Sequence, residues 1–253
     1  MLEFDDLIRG FEKMGISPGD TIMVHSSYKS LGGVNGGADT VIDALVESVG
    51  DKGTVLFPTF NFKSWVDTHY FDVRETASHM GVITELARCR EAAVRTPHPL
   101  YSFAVLGNRQ EEFAACDDVE AVGDNSVFAL FHKLNGLIVS IGLDFNSSFT
   151  FSVRAIYKAG GYWRRVKKFS GIYVGYDGEP QLKTYSMYVR STFQVITDIK
   201  PAINELIERE IIEVHQLGDA SVHTVRANPF YDAWTVIAKN HPEKLYRTKE
   251  IHE

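Results

Sequence analysis

Apolar side chains recur at helical spacing between residues 4 and 14, where Phe4, Leu7, Ile8, Phe11 and Met14 share one face before Ser17-Pro18-Gly19-Asp20 breaks the pattern. A short amphipathic helix is expected there. Thr21-Ile22-Met23-Val24-His25 reads as a buried strand, a glycine-rich loop follows, and Thr40–Val46 opens a helix with Asp39 as its N-cap. The next strand runs from Gly53 to Pro58. Strand, loop, helix and strand within about forty residues make a βαβ unit whose two strands are expected to be parallel.

Residues 59–78 are polar and aromatic with no sustained period, and an irregular connection of this length is expected to serve the substrate. Helix 79–90, strand 102–107, helix 109–115, helix 126–133 and strand 137–143 then continue the alternation, with Asn135-Gly136 as a turn. From Trp163 the period changes to two. Arg164–Ser170, Ile172–Tyr176 and Gln181–Arg190 read as strands around the hairpin-like Asp177-Gly178. A helix at Lys200–Arg209 with Pro201 in its first turn, a strand pair near Ile211–Val225 and a helix from Pro229 complete the chain. The predicted class is α/β: a mixed, mostly parallel sheet with helices on both faces, plus a smaller antiparallel β lobe in the C-terminal half. Residues 1–160 are assigned to the α/β region, and 161–253 to the lobe and closing helices, packed as one integrated unit.

With 253 residues of which 44% are apolar, the chain can bury a sizeable core. A net charge of -7, with lysines and arginines scattered, argues against nucleic acid as a partner and leaves small molecules as the expected ones. Cys89 and Cys116 match neither a zinc spacing nor a disulfide framework and are expected as buried thiols in a reducing cytosol; no metal is expected. Met1–Asp6 lacks a basic region before an apolar stretch, and no run reaches the ~20 apolar residues of a membrane span, so a cytoplasmic protein with no membrane partner is expected. The oligomeric state stays open, a homo-oligomer included.

Two segments carry candidate chemistry. In the first, His25-Ser26-Ser27-Tyr28-Lys29-Ser30-Leu31-Gly32-Gly33-Val34-Asn35-Gly36-Gly37 joins the end of a strand to a helix N-terminus. Glycines allow close backbone approach and the free N–H groups of the helix attract anions, so the loop suits a diphosphate-bearing ligand; a plain tight turn is the alternative. It is neither a P-loop nor a GxGxxG fingerprint. In the second, Thr96-Pro97-His98-Pro99-Leu100-Tyr101-Ser102, two prolines restrict His98, which could act as a base or hydrogen-bond donor, or simply be a structural residue at a strand entrance.

Together these segments resemble the aminoglycoside N3-acetyltransferase family. His25–Ala38 follows its His-Ser-Ser, Lys or Arg, Ser-Leu-Gly, Gly-Gly-Ala pattern; Gly53–Thr59 is similar to its Gly-Thr-hydrophobic-Pro-Thr strand; Met80–Glu85 is similar to its Met-Gly helix start; and His98-Pro99 through Ser102 and Gly107 follows its His-Pro-x-x-Ser-x-x-x-x-Gly. The resemblance spans nearly the whole chain. It implies an acyl-CoA cosubstrate, acetyl-CoA or a short hydroxyacyl-CoA, along His25, Ser26, Ser27, Lys29, Ser30, Leu31, Gly32, Gly33 and Val34, with Ser102 near the acyl end. Lysine beside exposed amides suits phosphate, and hydroxyls or backbone N–H groups suit a carbonyl oxygen gaining charge.

The chain departs from the family after strand 137–143. Where the family carries Asn-Thr-Ser-Leu-His-Leu-Ala-Glu, with a histidine regarded as the base, this chain reads Asn146-Ser147-Ser148-Phe149-Thr150-Phe151-Ser152-Val153. Asn146 and two small hydroxyl residues remain, but Thr150 replaces the histidine and Val153 the glutamate. An amine near a pKa of ~10.4 must still lose a proton, and the candidates are His98, His69 in the irregular loop, or the departing sulfur; an amine on a sugar carbon flanked by hydroxyls has a lower pKa, which favours direct attack on the thioester without a dedicated base. The lost acidic partner removes a charge suited to a polycationic acceptor, and Phe60, Phe62, Trp65, Tyr70 and Phe71 could stack on a base or sugar; because the family it resembles includes members that acylate nucleotide-linked amino sugars for surface polysaccharides, the resemblance implies such a sugar as the expected acceptor. The alternatives are an aminoglycoside N3-acetyltransferase acting in antibiotic resistance, and a non-catalytic CoA-binding module.

Overall fold

A computed structural model describes residues 1–143 and 152–249 in full, and residues 149–151 as backbone. In chain order the elements are α1 (Phe4–Lys13), β1 (Thr21–Ser26), α2 (Gly37–Val49), β2 (Thr54–Pro58), β3 (Tyr70–Asp72), α3 (Val82–Arg88), β4 (Val94–Arg95), β5 (Phe103–Gly107), α4 (Gln110–Ala114) and α5 (Val127–Lys133). They continue as β6 (Leu137–Ile141), α6 (Phe149–Lys158), β7 (Arg164–Val174), β8 (Pro180–Arg190), β9 (Val195–Thr197), α7 (Lys200–Glu208), β10 (Glu213–Leu217), β11 (Ala220–Arg226), α8 (Ala227–Asn240) and β12 (Tyr246–Thr248).

The mixed α/β architecture is as expected, built on a sheet ordered β10-β11-β6-β1-β2-β5-β4. Its centre, β6-β1-β2, is parallel, whereas β5 and β4 on one side and β11 and β10 on the other run antiparallel to their neighbours. β1 is buried along almost its whole length because both faces are covered. Ile22 and Val24 pack on the side of Leu7 and Phe11 from α1 and Val41 and Leu45 from α2. Met23 points the other way, into the cluster of Phe128 and Phe131 from α5 and Trp234 from α8. Each fully buried side chain of this size contributes about 1.5–3 kcal/mol, so the sheet's two faces are what hold its strand ends in place.

The lobe is β7 and β8 paired over eleven residues each, turned by Asp177-Gly178, with Gly178 at φ 81° and the Asp177 side chain accepting from Glu179 N at 3.1 Å. The strand pair predicted near Ile211–Val225 is β10 and β11, which continues the large sheet beside β6. Residues after 160 therefore supply both the lobe and one side of the main sheet.

Several boundaries differ for local reasons. The helix predicted over 79–90 starts only at Val82, because Gly81 sits at φ 129°, outside helical space. Asp39 does not cap α2: the helix begins at Gly37 behind Gly36 in the left-handed region, and the Asp39 carboxylate pairs with Arg90 at 3.1 Å. Residues 59–78 are not irregular throughout. Ser64–Thr68 forms a wide helical turn and β3 pairs in parallel with β7, Tyr70 opposite Ile172. Trp65 and Phe71 are consequently core residues, Trp65 Nε1 donating to the Phe169 carbonyl at 3.2 Å and Phe71 stacking on Tyr173 at 5.9 Å, so neither offers a surface to substrate. Cys89, expected buried, is exposed at the end of α3, and Cys116 is half-buried. Among the described residues, no helix is long and apolar enough to cross a membrane.

Candidate active site

The parallel strands β1, β2 and β6 end at the same edge of the sheet, the place where ligands bind in open α/β sheets. A cleft of about 430 Å³ opens there. Its floor is His25 and Ser26 at the end of β1 and Pro58 at the end of β2; one wall is aromatic, with Phe60, Phe62 and Tyr101. Tyr101 meets both phenylalanines edge-on at 5.3 Å, which fixes the wall. His79, Met80 and Thr84 border one side, and Leu143, Val153, Arg164 and Met187 the other. The volume suits a small-molecule site.

Burial sets the electrostatics of the floor. His25 is 7% exposed, and desolvation pushes its pKa down to about 4, so the ring is neutral at pH 7. Among the described residues, its Nε2 and the Ser26 hydroxyl are buried without protein partners. Desolvation raises the Tyr101 phenol well above its ordinary value, so it stays a hydrogen-bond donor. Arg164, which directs Nε toward the Tyr188 carbonyl at 3.4 Å, brings a guanidinium to the cleft, lowered from its ordinary value by burial.

Beyond the floor the glycine-rich segment folds as one tight helical turn, Tyr28–Leu31, and then enters α2. Ser27 N donates to the Ile141 carbonyl at 2.9 Å, and the Ser30 hydroxyl donates back to the Ser27 carbonyl at 2.6 Å. Gly32 and Gly33, at φ 79° and 117°, take a path closed to most other residues. The N-terminus clamps the loop from outside: Leu2 N donates to the Gly33 carbonyl and Asn35 N to the Leu2 carbonyl, both at 2.9 Å. Leu31 and Val34 bury their side chains in the core, so only their backbones face a ligand, while Lys29 is exposed. α2 has no side chain capping its N-terminus, which leaves N–H groups for an anion.

The structure thus brings His25 and Ser26 to the cleft; Ser27, Lys29 and Ser30 lie on the turn that follows Ser26, while Gly32 and Gly33 line a separate pocket beside Met1, Leu2, Gly218 and Asp219, and the three catalytic candidates it describes stay outside the cleft lining. His98 is 5% exposed behind Tyr101, packed 4.9 Å from the Tyr185 ring, held down to about 4 by burial, and beside an internal space of about 10 Å³, room for roughly one water. His69 lies in the left-handed region at φ 54°, exposed, with Nδ1 3.0 Å from the Ser170 carbonyl. Ser102 is fully buried, its hydroxyl 3.0 Å from the Thr59 carbonyl. Asn146 lies outside the described residues. Sequence reasoning did not single out His79, Thr84, Tyr101, Arg164 or Met187. Tyr101 lies within the His-Pro-x-x-Ser stretch, but nothing in that spacing shows which side chain faces a cleft; Arg164 and Met187 come to it from the paired strands β7 and β8, far along the chain from β1 and β2.

Comparison with known proteins agrees with this geometry. Residues 23–238 match the family described as aminoglycoside 3-N-acetyltransferase. The chain is 32% identical over 160 residues to the SPbeta prophage-derived aminoglycoside N(3')-acetyltransferase-like protein YokD of Bacillus subtilis (strain 168), covering 54% of this chain and 59% of that protein. It is 32% identical over 157 residues to aminoglycoside N(3)-acetyltransferase VII of Streptomyces paromomycinus, covering 54% of each. The chain thus spans little more than half the length of these curated relatives. In fold it is similar to aminoglycoside acetyltransferase AAC(3)-Xa, with TM-score 0.82, 24% identity and coverage of 95% and 93%, and to AAC-IIIb solved with CoASH, with TM-score 0.80, 20% identity and coverage of 93% and 95%. These names overturn the expected nucleotide-linked amino sugar: the matching relatives are named for aminoglycosides, and of the aromatic residues behind that expectation Trp65 and Phe71 are withdrawn into the core. The chain belongs to the aminoglycoside 3-N-acetyltransferase family.

Proposed function

We propose that this protein transfers an acyl group from acyl-CoA, with acetyl-CoA as the donor, to an amino group of an aminoglycoside held in the cleft. The observation that carries this reading is the meeting of the glycine-rich turn with the aromatic-walled cleft at the ends of the parallel strands, at His25 and Ser26. The exposed Lys29 and the uncapped start of α2 suit CoA phosphates, and the Ser26 and Ser27 region suits the pantetheine. The amine nitrogen attacks the thioester carbon, charge builds on the carbonyl oxygen, and the sulfur leaves with the bonding electrons. A neutral, buried donor such as the Tyr101 phenol is the kind of group that stabilises that oxygen. Val153 in the cleft wall supplies no carboxylate, so the base system differs from the pattern of the family.

The test is thiol release from acetyl-CoA with a panel of aminoglycosides, read alongside thermal protection by CoA. A ligand confined to the native state adds about 2.7 kcal/mol at a hundred times its dissociation constant. The expected result is CoA protection together with thiol release and a product heavier by one acetyl group. Protection without turnover on any aminoglycoside would leave a non-catalytic CoA-binding protein, and no protection would remove the CoA assignment.

A further inference from the structure

Behind the cleft floor, polar side chains form a row across three strands. His25 in β1 stands opposite Ser140 in β6, and Ser140 stands opposite His223 in β11. Residues directly opposite in neighbouring strands project from the same face with Cβ atoms ~4.5–5.5 Å apart. That face is otherwise apolar, carrying Met23, Ile138 and Val225 two residues along each strand. Packing alone gives no reason for polar groups there. His25 meets the cleft with its small accessible surface, while its Nε2 is buried; Ser140 is fully buried, and among the described residues neither Nε2 nor the Ser140 hydroxyl has a protein partner. Buried groups of this kind are satisfied by ordered water. At the far end His223 is half-buried, opposite Val214, whose 50% exposure marks the outer strand. The row therefore leads from the cleft floor along one face of the sheet, across β6 and β11, toward solvent.

We propose that the row His25, Ser140, His223 carries the proton released by the acceptor amine out of the cleft, a role that rests on the acyl-transfer reading above. As the nitrogen bonds to the thioester carbon and the carbon–sulfur bond breaks with its electron pair on sulfur, the nitrogen loses one proton. His25 accepts it on the cleft side and releases one from its buried nitrogen. A bridging water passes that proton to the Ser140 hydroxyl, and a second water carries the hydroxyl's own proton to His223. The thiolate takes one proton from solvent, so amine and thioester become amide and thiol. Burial keeps His25 neutral before the reaction and disfavours its charged form, so the ring passes the proton on instead of holding it.

The test uses Ser140→Ala, Ser140→Thr and His223→Gln in the full chain, each checked for its thermal midpoint and for CoA binding. Ser140→Ala is expected to lower kcat about 10-fold with the KM for acetyl-CoA unchanged and the solvent isotope effect reduced, while Ser140→Thr, which keeps a hydroxyl, recovers most of the rate. Wild-type kcat in both Ser140→Ala and His223→Gln, or equal losses in Ser140→Ala and Ser140→Thr, overturns the proposal. Nitrogen-15 spectra of the histidine rings in the CoA-bound protein separate this from the activity reading. Ser140→Ala should shift the resonances of both His25 and His223 even if no aminoglycoside turns over, and a shift of neither would refute the row while leaving measured acyl transfer intact.

Discussion

Arg95 Nε lies 3.1 Å from Ser102 Oγ, and its Nη2 donates to the Thr59 carbonyl at 2.9 Å. The Ser102 hydroxyl in turn donates to that same carbonyl at 3.0 Å, so one buried guanidinium and one hydroxyl tie β5 to the end of β2. The Phe71 ring covers the guanidinium at 4.7 Å, and desolvation lowers Arg95 to about 10. Ser102→Ala should therefore act on stability, costing about 1–3 kcal/mol because the guanidinium loses an acceptor in a buried place. In a chain of this size the expected midpoint shift is roughly 2–4 °C per kcal/mol. Thermal unfolding beside steady-state kinetics checks it. A large fall in kcat without a fall in stability would return Ser102 to the chemistry.

Acid stability follows from the two buried histidines. His25 and His98 are each held down to about 4, against an ordinary 6.5, by desolvation. Between pH 6.5 and 4 the unfolded chain binds protons that the native state refuses, so stability rises with pH in that window and is lost on acidification. Each histidine accounts for roughly 3 kcal/mol across the whole window. Urea unfolding at stepped pH should show a flatter profile for His98→Gln than for wild type. Parallel profiles would mean that His98 titrates normally in the fold.

Gly142 follows β6 at φ 61°, and a Cβ there would collide with the Ser30 side chain of the glycine-rich turn. Gly142→Ala is therefore expected to push the turn outward, weakening CoA binding by about 10-fold, the equivalent of ~1.4 kcal/mol, as well as straining its own backbone. Isothermal titration with CoA provides the measure. Unchanged affinity would show that Ser30 and its turn do not contact the cosubstrate.

Lys29 is exposed on that turn, where a phosphate contact is worth ~1 kcal/mol. Lys29→Ala should raise the KM for acetyl-CoA about 5-fold and leave kcat nearly unchanged, since ground and transition states share the contact. Equal losses in kcat and kcat/KM would place Lys29 at the reacting atoms instead.

Local pattern was enough to predict those elements whose signals are local. The 3.6-residue period of Phe4, Leu7 and Phe11 gave α1, the apolar run from Thr21 gave β1, Pro201 marked the first turn of α7, and Asp177-Gly178 gave the β7–β8 hairpin. The glycine-rich segment was readable because left-handed backbone at Gly32, Gly33, Gly36 and Gly37 leaves a trace in residue type. Strand partners leave no such trace. That β5 runs antiparallel to β2, and that β10 and β11 extend the main sheet past β6, depends on long-range pairing that any alternating strand could satisfy. The same limit explains the site. His98 between two prolines and Ser102 in a matched motif looked chemical in sequence, but the turn at Tyr101 sends the phenol to the cleft and leaves both behind it. Conversely, Arg164 and Met187 reach the cleft because the lobe packs beside the ends of the main sheet, and His25, Ser140 and His223 share one face because strands distant in sequence adopt a particular register. Residue type determined which segments could bend tightly or bury, and tertiary pairing decided which side chains meet, because the free energy that selects a register belongs to the packed sheet and to no single segment.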